Sequence, residues 1–441
     1  MTQEEALNIL KIGGNVFLTG PAGSGKTYLL NKYIKYLKKN KVPVAITAST
    51  GIAATHMNGR TIHSWTAIRI NRTLSEKELN SLSYNEEVFH RINHARVLII
   101  DEISMLDADR FNLVDTVCRT LRRIPVPFGG LQIVLCGDFF QLPPIPTRGE
   151  PPPQFAFLSE AWLKANIAVC YLEKQYRQSD KRFLDVLNSI RSNRSTATTK
   201  SILMERHQNP IKGVKKTTRL FSHNQKVNDM NDFELMQINA TEYTYEMSSD
   251  GDPELVQELR RSCLAPQQLT LKKGALVMFV KNNFEGGYVN GTLGTVIDFE
   301  EETNHPIIEK KDGGEIIATP SSWSIEEDDV TLARISQIPL RLAWAITIHK
   351  SQGMSLDHAE IDLSQAFIHG MGYVALSRVR TLAGIKLIGL NEMALKVDPA
   401  ITEFDKELKK GSVKSHKKIK SLNLLSKKKA HAEFIRRATH G

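Results

Sequence analysis

The sequence predicts an α/β protein of two lobes, each a parallel sheet flanked by helices, and three observations carry that prediction. Short apolar runs such as Val16-Phe17-Leu18, Val97-Leu98-Ile99-Ile100 and Ile133-Val134-Leu135-Cys136 are bounded by glycine or polar residues, as buried parallel strands are. One of them leads through Gly20-Pro21-Ala22-Gly23-Ser24-Gly25-Lys26-Thr27 into a segment with helical apolar spacing, a strand–loop–helix unit of pattern G-x-x-x-x-G-K-[ST]. From about residue 269 the period shortens to β-type runs between Gly-Gly, Asn-Gly and Asp-Gly turns, which predicts a small antiparallel barrel inserted in the second lobe. The expected boundaries are 1–180 for the first lobe, with a polar helical insertion at about 69–91. The second lobe is expected over 181–395, with the barrel at about 269–325, followed by a basic tail over 396–441.

Composition narrows the class. A chain of 441 residues with 41% hydrophobic and 24% charged residues is an ordinary globular protein with room for several cores. Cys118, Cys136, Cys170 and Cys263 lie far apart and predict buried thiols in a reducing compartment, not a disulfide frame. No apolar run approaches the roughly 18 residues of a membrane span, and no secretory pattern follows Met1, so the expectation is a soluble, intracellular protein, of cytoplasm or nucleoid if prokaryotic. The net charge of +10 is localised: residues 409–441 hold eleven of the 58 bases and one of the 48 acids, leaving 47 of each before them. Such a tail reads equally as an electrostatic arm for a polyanion and as a solvated segment.

Taken in order, Gln3-Glu4-Glu5 opens a short helix ending near Gly13-Gly14. The Gln3 amide offers the donor and acceptor an adenine edge needs. In Gly20–Thr27, backbone N–H groups can cradle phosphates at a helix N-terminus. Lys26 supplies a charge for the β/γ-phosphates and Thr27 a hydroxyl for Mg²⁺, so ATP is the expected ligand. Val42–Ala48 is the next strand and runs into Ser49-Thr50, hydroxyls placed for the phosphates of a strand. Thr61-Ile62-His63-Ser64-Trp65 mixes donors and a ring suited to single-stranded nucleic acid; a helix start with a core tryptophan is the competing reading. Asp101 and Glu102 end an apolar strand. Their side chains diverge, one for the Mg²⁺ shell and one to polarise the attacking water. After the strand through Cys136, Gln141 is placed to sense a γ-phosphate, its loop stiffened by Pro143 and Pro144.

The strings Asp101-Glu102-Ile103-Ser104-Met105-Leu106, Pro127-Phe128-Gly129-Gly130 and Gly137-Asp138-Phe139-Phe140-Gln141-Leu142-Pro143-Pro144 together resemble the PIF (petite-integration-frequency) family of superfamily-one 5′-to-3′ DNA helicases, cousins of the RecD type. The resemblance runs from Gln3 to about Leu390. It implies two RecA-like P-loop NTPase lobes and an SH3-like form for the inserted barrel. It makes Arg177, in Gln175-Tyr176-Arg177, and Arg378, in Ser377-Arg378-Val379-Arg380, arginine fingers, each of which can be worth about 10³–10⁵ in rate. Gln352 and Gly353 fall near the nucleotide by the same resemblance. Thr347, His349 and Lys350, at the start of an expected helix over 345–353, supply contacts to a strand backbone. Lys281, Asn282 and Asn283 read better as a polar turn than as a contact.

The expected activity is an ATP-dependent helicase acting as a monomer on single-stranded DNA and forks, in repair, recombination or replication, with telomere maintenance in eukaryotic relatives. A DNA-stimulated translocase that displaces proteins without separating strands is the alternative. A nucleotide-binding regulator is disfavoured by the two arginines so far from the P-loop.

Overall fold

The predicted apolar runs fold as strands β1 (Val16–Thr19), β2 (Val44–Ala48), β3 (Arg60–Thr61), β4 (Val97–Asp101), β5 (Gln132–Cys136) and β6 (Ala168–Tyr171). In this computed structural model, residues 1–440 are described except 70, 145, 147–151, 212–216, 224, 284, 311, 312, 328 and 329. The six strands form one parallel sheet in the order β3-β2-β4-β5-β1-β6. Every residue of β1, β4 and β5 is buried, the reason these runs are apolar throughout and not alternating. Parallel neighbours require crossovers, and helices supply them. Helix α1 (Gln3–Lys11) is started by a capping box in which Thr2 and Glu5 satisfy each other's backbone N–H groups. Helix α2 (Lys26–Lys39) buries Leu29, Leu30, Tyr33, Ile34 and Leu37 on one face. Short helices α3 (Gly51–Thr55) and α4 (Ile62–Trp65) follow β2 and β3. The polar stretch at 69–91 contributes α5 (Glu76–Tyr84), which buries nothing, and α6 (Glu86–His94). Helix α7 (Ala108–Arg122) buries eight residues.

The chain divides into two compact units, residues 1–176 with 326–330 and 400–441, and residues 177–325 with 331–399. The second unit has its own parallel sheet in the order Ala345–Thr347, Arg219–Phe221, Ala359–Leu363, Ile385–Leu390. Glu360 ties three of these strands, pairing with Arg219 at 2.5 Å and Lys386 at 3.0 Å. Both bases are its register partners. Antiparallel strands run from Glu242 to Leu342, beyond the expected 269–325, and divide among three sheets, the largest of five strands. Asn282 and Asn283 accept from Asn290 and Gly286 N–H groups, so they build a turn. Lys281 donates to the Ser322 carbonyl and lies over the Trp323 ring.

Two expectations fail. The helix predicted over 345–353 is the strand Ala345–Thr347 followed by hydrogen-bonded turns, in which Ser351 N–H donates to Thr347 O and Met354 N–H to Ser351 O. Thr347 belongs to the sheet, and β-branched Ile346, Thr347 and Ile348 suit that backbone better than a helix. The basic segment after 396 is not a loose tail. It folds as two helices, Pro399–Ser421 and Leu424–His440, that complete the core of the first unit. Ile419, Phe434 and Ala438 pack with Ala6, Ile9 and Leu10. Glu5 meets His416 at 3.1 Å, and His431 Nε2 is 3.2 Å from Asn8 O. Among the described residues, no helix is long and apolar enough to cross a membrane.

Candidate nucleotide and nucleic-acid site

The carboxyl ends of β1, β2, β4 and β5 lie on one edge of the first unit's sheet, where α/β folds bind ligands. The loop after β1 has left-handed backbone at Gly23 and Gly25. A Cβ on Gly20 would fall 2.3 Å from Leu172 O, and one on Gly25 2.3 Å from Gln3 Nε2. Only glycine therefore fits this cradle. Ser24 Oγ is buried and has no hydrogen-bond partner among the described residues, an orphan suited to a phosphate oxygen. The Lys26 ammonium lies across the loop mouth, donating to Gly20 O at 2.9 Å and Pro21 O at 3.2 Å. Thr27 is exposed beside it at the start of α2, while Pro21 and Ala22 are buried. Gln3 Nε2 donates to Ser24 O at 3.4 Å, which brings the first turn of α1 to the loop. A buried network fixes both helices: Tyr33 Oη donates to Gln132 Oε1, and Gln132 Nε2 donates to Leu10 O and Gly14 O.

Asp101 and Glu102 stand at the same edge. Burial pushes the Asp101 carboxyl up, while the Cys136 thiol, the Glu102 N–H and the Lys26 charge act the other way. Glu102 is left-handed, φ 50° and ψ 44°, an uncommon state for a non-glycine residue. Ser49 Oγ holds that turn by donating to Glu102 O at 2.5 Å. The chain thus leaves the strand direction at Glu102, whose N–H donates to Asp101 Oδ1 at 2.9 Å. Gln141 is buried, with its Nε2 3.5 Å from Asp138 Oδ2 and its N–H on Asp138 O.

The candidate strand contacts fare unevenly. Ser49 is engaged with Glu102, Thr50 caps α3 by accepting from Ala53 N–H, and Thr61 caps α4 by accepting from Ser64 N–H. These hydroxyls already serve the backbone. His63 and Ser64 are half-buried. Trp65 is 3% exposed, with its carbonyl taken by Arg91 Nε, so the core reading holds and the ring cannot stack on a base. In the second unit Thr347 is buried, and its Oγ1 accepts from Lys350 N–H. His349 and Lys350 are half-buried. Burial first, then His223, holds the His349 imidazole below its usual value; burial and Arg341 lower Lys350. Gln352 is buried and Gly353 left-handed at φ 82°.

Arg177 and Arg378 share an anchor within the second unit. Arg177 Nη1 donates to Ser377 O at 3.0 Å. Arg378 is 2% exposed, with Nε on Val374 O and Nη2 on Ser377 Oγ. Arg380 instead is exposed and pairs with Asp357 at 3.2 Å.

The sequence pattern described as "PIF1-like helicase" matches residues 3–206, and that of "DNA helicase Pif1, 2B domain" matches 254–299. The chain is 42% identical to the ATP-dependent DNA helicase Pif1 of Psychrobacter sp. over 99% of its own length and 75% of that protein's. The chain belongs to the PIF1-like helicase family. It spans 64% of the Xenopus laevis relative. The Bacteroides Pif1 structure with ADP-AlF4 superposes at TM-score 0.81 with 31% identity, over 92% of this chain and 96% of that one. The Bacteroides Pif1 structure with ADP-AlF3 and single-stranded DNA gives 0.61 at 30%, with the same coverage.

Within this PIF1-like site two residues escaped sequence reasoning. Cys136, whose thiol hydrogen-bonds Asp101, gave only an apolar signal at the end of a strand. Gln178, one position after Arg177, is 4% exposed and donates through Nε2 to both Ser377 O and Val379 O, bracketing Arg378. No spacing links residues 199 and 201 positions apart, so only the fold discloses the bracket.

Proposed function

We propose that this chain is an ATP-dependent DNA helicase that moves 5′-to-3′ along single-stranded DNA and separates duplex at forks. The observation that carries the reading is the glycine cradle with its orphan Ser24 Oγ on the same sheet edge as Asp101 and Glu102. Family membership supplies the DNA substrate, and the Bacteroides relative's complexes with ADP-aluminium fluoride and single-stranded DNA support it.

In this reading the Gly20–Gly25 backbone and Ser24 hold the phosphates, Lys26 swings from the loop carbonyls to them, and Gln3 meets the base. Thr27 and Asp101 are the residues that would hold Mg²⁺, which when bound neutralises phosphate charge. Glu102 accepts the proton of the attacking water, and Gln141 orients near it. Arg177 and Arg378 stabilise charge that develops in the transition state. The support for the arginines is their motif position and the buried bracket that sets their directions. His349 and Lys350 are proposed for the DNA backbone, and the Ser49, Thr50, Thr61 and Thr347 hydroxyls for shaping the loops that meet it.

The test is unwinding of paired 5′-tailed and 3′-tailed duplexes with ATP, with Lys26→Ala as control. Separation of the 5′-tailed substrate alone is expected. Stimulated hydrolysis without separation would make the chain a translocase, and hydrolysis surviving in Lys26→Ala would overturn the site.

A further inference from the structure

The positive charge of this chain is concentrated on one built surface. Residues 1–408 hold equal numbers of acids and bases, so the whole excess falls on residues 409–441, within the C-terminal helix pair. In Pro399–Ser421 the buried positions Ile401, Asp405, Leu408, Ser412 and Ile419 form one seam at helical spacing. Lys410, Lys414 and Lys417 lie on the opposite side, all exposed; the Lys410 charge acts on Glu403, and none of the three forms a close ion pair among the described residues. At about 1.5 Å per residue they make a straight row about 10 Å long. In Leu424–His440 the same division holds, with Phe434 and Ala438 buried and Lys429 and Arg436 outward.

The row is not a mobile brush. Its helix is pinned by Tyr171, whose N–H donates to Ser412 Oγ and whose Oη donates to Asp405 Oδ1, and by the Glu5–His416 pair; the second helix is held to α1 by the Phe434 packing and the His431 contact to Asn8 O. Two features select the partner. A rigid line of charge suits a stiff polyanion, since duplex DNA presents one charge per roughly 1.7 Å of axis. Single-strand surfaces interleave cations with rings for base stacking, and this face has no exposed Phe, Tyr or Trp among the described residues. Phe404 is stacked on Phe157 at 3.9 Å and Phe434 is buried. The two exposed leucines, Leu424 and Leu425, are confined to the first turn of the second helix and make no apolar face for a membrane.

We propose that the outer face of the C-terminal helix pair is a second nucleic-acid surface, which grips the phosphate backbone of duplex DNA and is separate from the single-strand track. It anchors the P-loop unit to the duplex while the track handles the single strand. The proposal rests on the helicase reading only for the presence of duplex DNA beside the protein.

The test compares the full chain with Lys410→Gln/Lys414→Gln/Lys417→Gln, and with the corresponding triple arginine variant as rescue. Binding of a blunt 24-base-pair duplex and of an oligo-dT of equal length is followed by anisotropy without nucleotide across a salt series. The glutamine variant should lose about 2.7 from the slope of log K against log salt for the duplex, from about 0.9 per phosphate contact. The arginine variant should keep the slope, and oligo-dT binding and oligo-dT-stimulated ATP hydrolysis should hold within twofold. An unchanged duplex slope overturns the proposal, and an equal loss on oligo-dT makes the face part of the strand track. Loss confined to vesicles of phosphatidylserine and phosphatidylcholine, with duplex binding intact, makes it a membrane surface. Duplex binding is read without ATP, so failure here is distinct from failure of the helicase reading, which shows as absent hydrolysis in the unmodified chain.

Discussion

Phe434→Ala should loosen the nucleotide helix from a position that touches no nucleotide. The Phe434 ring is 6% exposed and fills the space left by Gly13, where a Cβ would fall 2.1 Å from Phe434 Cδ2. Truncating a buried phenylalanine to alanine typically costs about 3–5 kcal/mol. Here the loss falls first on docking of Leu424–His440 against Ala6, Ile9 and Leu10, because the second unit shares none of that core. At about 1.4 kcal/mol per factor of ten, the lower figure shifts the docking equilibrium constant by about two orders of magnitude. Hydrogen exchange on the full chain reads this directly: amides of α1 and of Leu424–His440 should lose protection together while β4 and β5 keep theirs. KM for ATP should rise, since Gln3 rides on α1, with kcat moving less. Gly13→Ala reaches the same end from the other side, combining that clash with a backbone φ of +87°. Unchanged protection of α1 in either variant would refute the claim that the C-terminal helices hold it.

Glu102→Gln should bind ATP normally and lower hydrolysis by at least about 10²; a comparable loss of nucleotide binding would move the base elsewhere. Gln178→Ala removes two buried hydrogen bonds around Arg378, a cost of about 1–3 kcal/mol. Its kcat should fall with KM for ATP held, and an unchanged kcat would dissociate the bracket from the arginines. His349 supplies a pH dependence: its folded pKa is depressed, so no cost exists above the usual value of about 6.5. As pH falls below that value the unfolded chain takes the proton first and stability drops, until the folded pKa is reached. Urea midpoints at pH 7.5 and 5.5 should differ less in His349→Gln than in the unmodified chain, and an equal difference would remove this histidine from the account.

How much was legible follows from the range over which each signal acts. The Gly20–Thr27 loop and the Asp101-Glu102 pair are local, each set by one strand end, and the sequence announces both. The sheet edge that unites them follows from parallel topology. The antiparallel strand Glu242–Glu246 was illegible because its faces are half-exposed and exposed by turns, with Tyr243 and Tyr245 between glutamate and threonine. The C-terminal helices were hidden by their lysines, which mask an apolar seam recurring only once per turn or less. Trp65 shows the limit of composition: a ring among donors can equally stack on a base or fill a core, and burial decides. Gln178 and Cys136 act through contacts that no spacing encodes.

The chain order of the first unit has a consequence for its manufacture. His431 meets the carbonyl of Asn8, a partner 423 positions earlier, and the whole second unit is made between them. Domains generally fold as units in the order they leave the ribosome. Here the core around Ile9 and Leu10 is complete only once Ile419, Phe434 and Ala438 have been made. A prematurely ended message therefore yields a chain that carries every proposed catalytic residue yet lacks part of the cover of α1, which gives quality control an apolar handle.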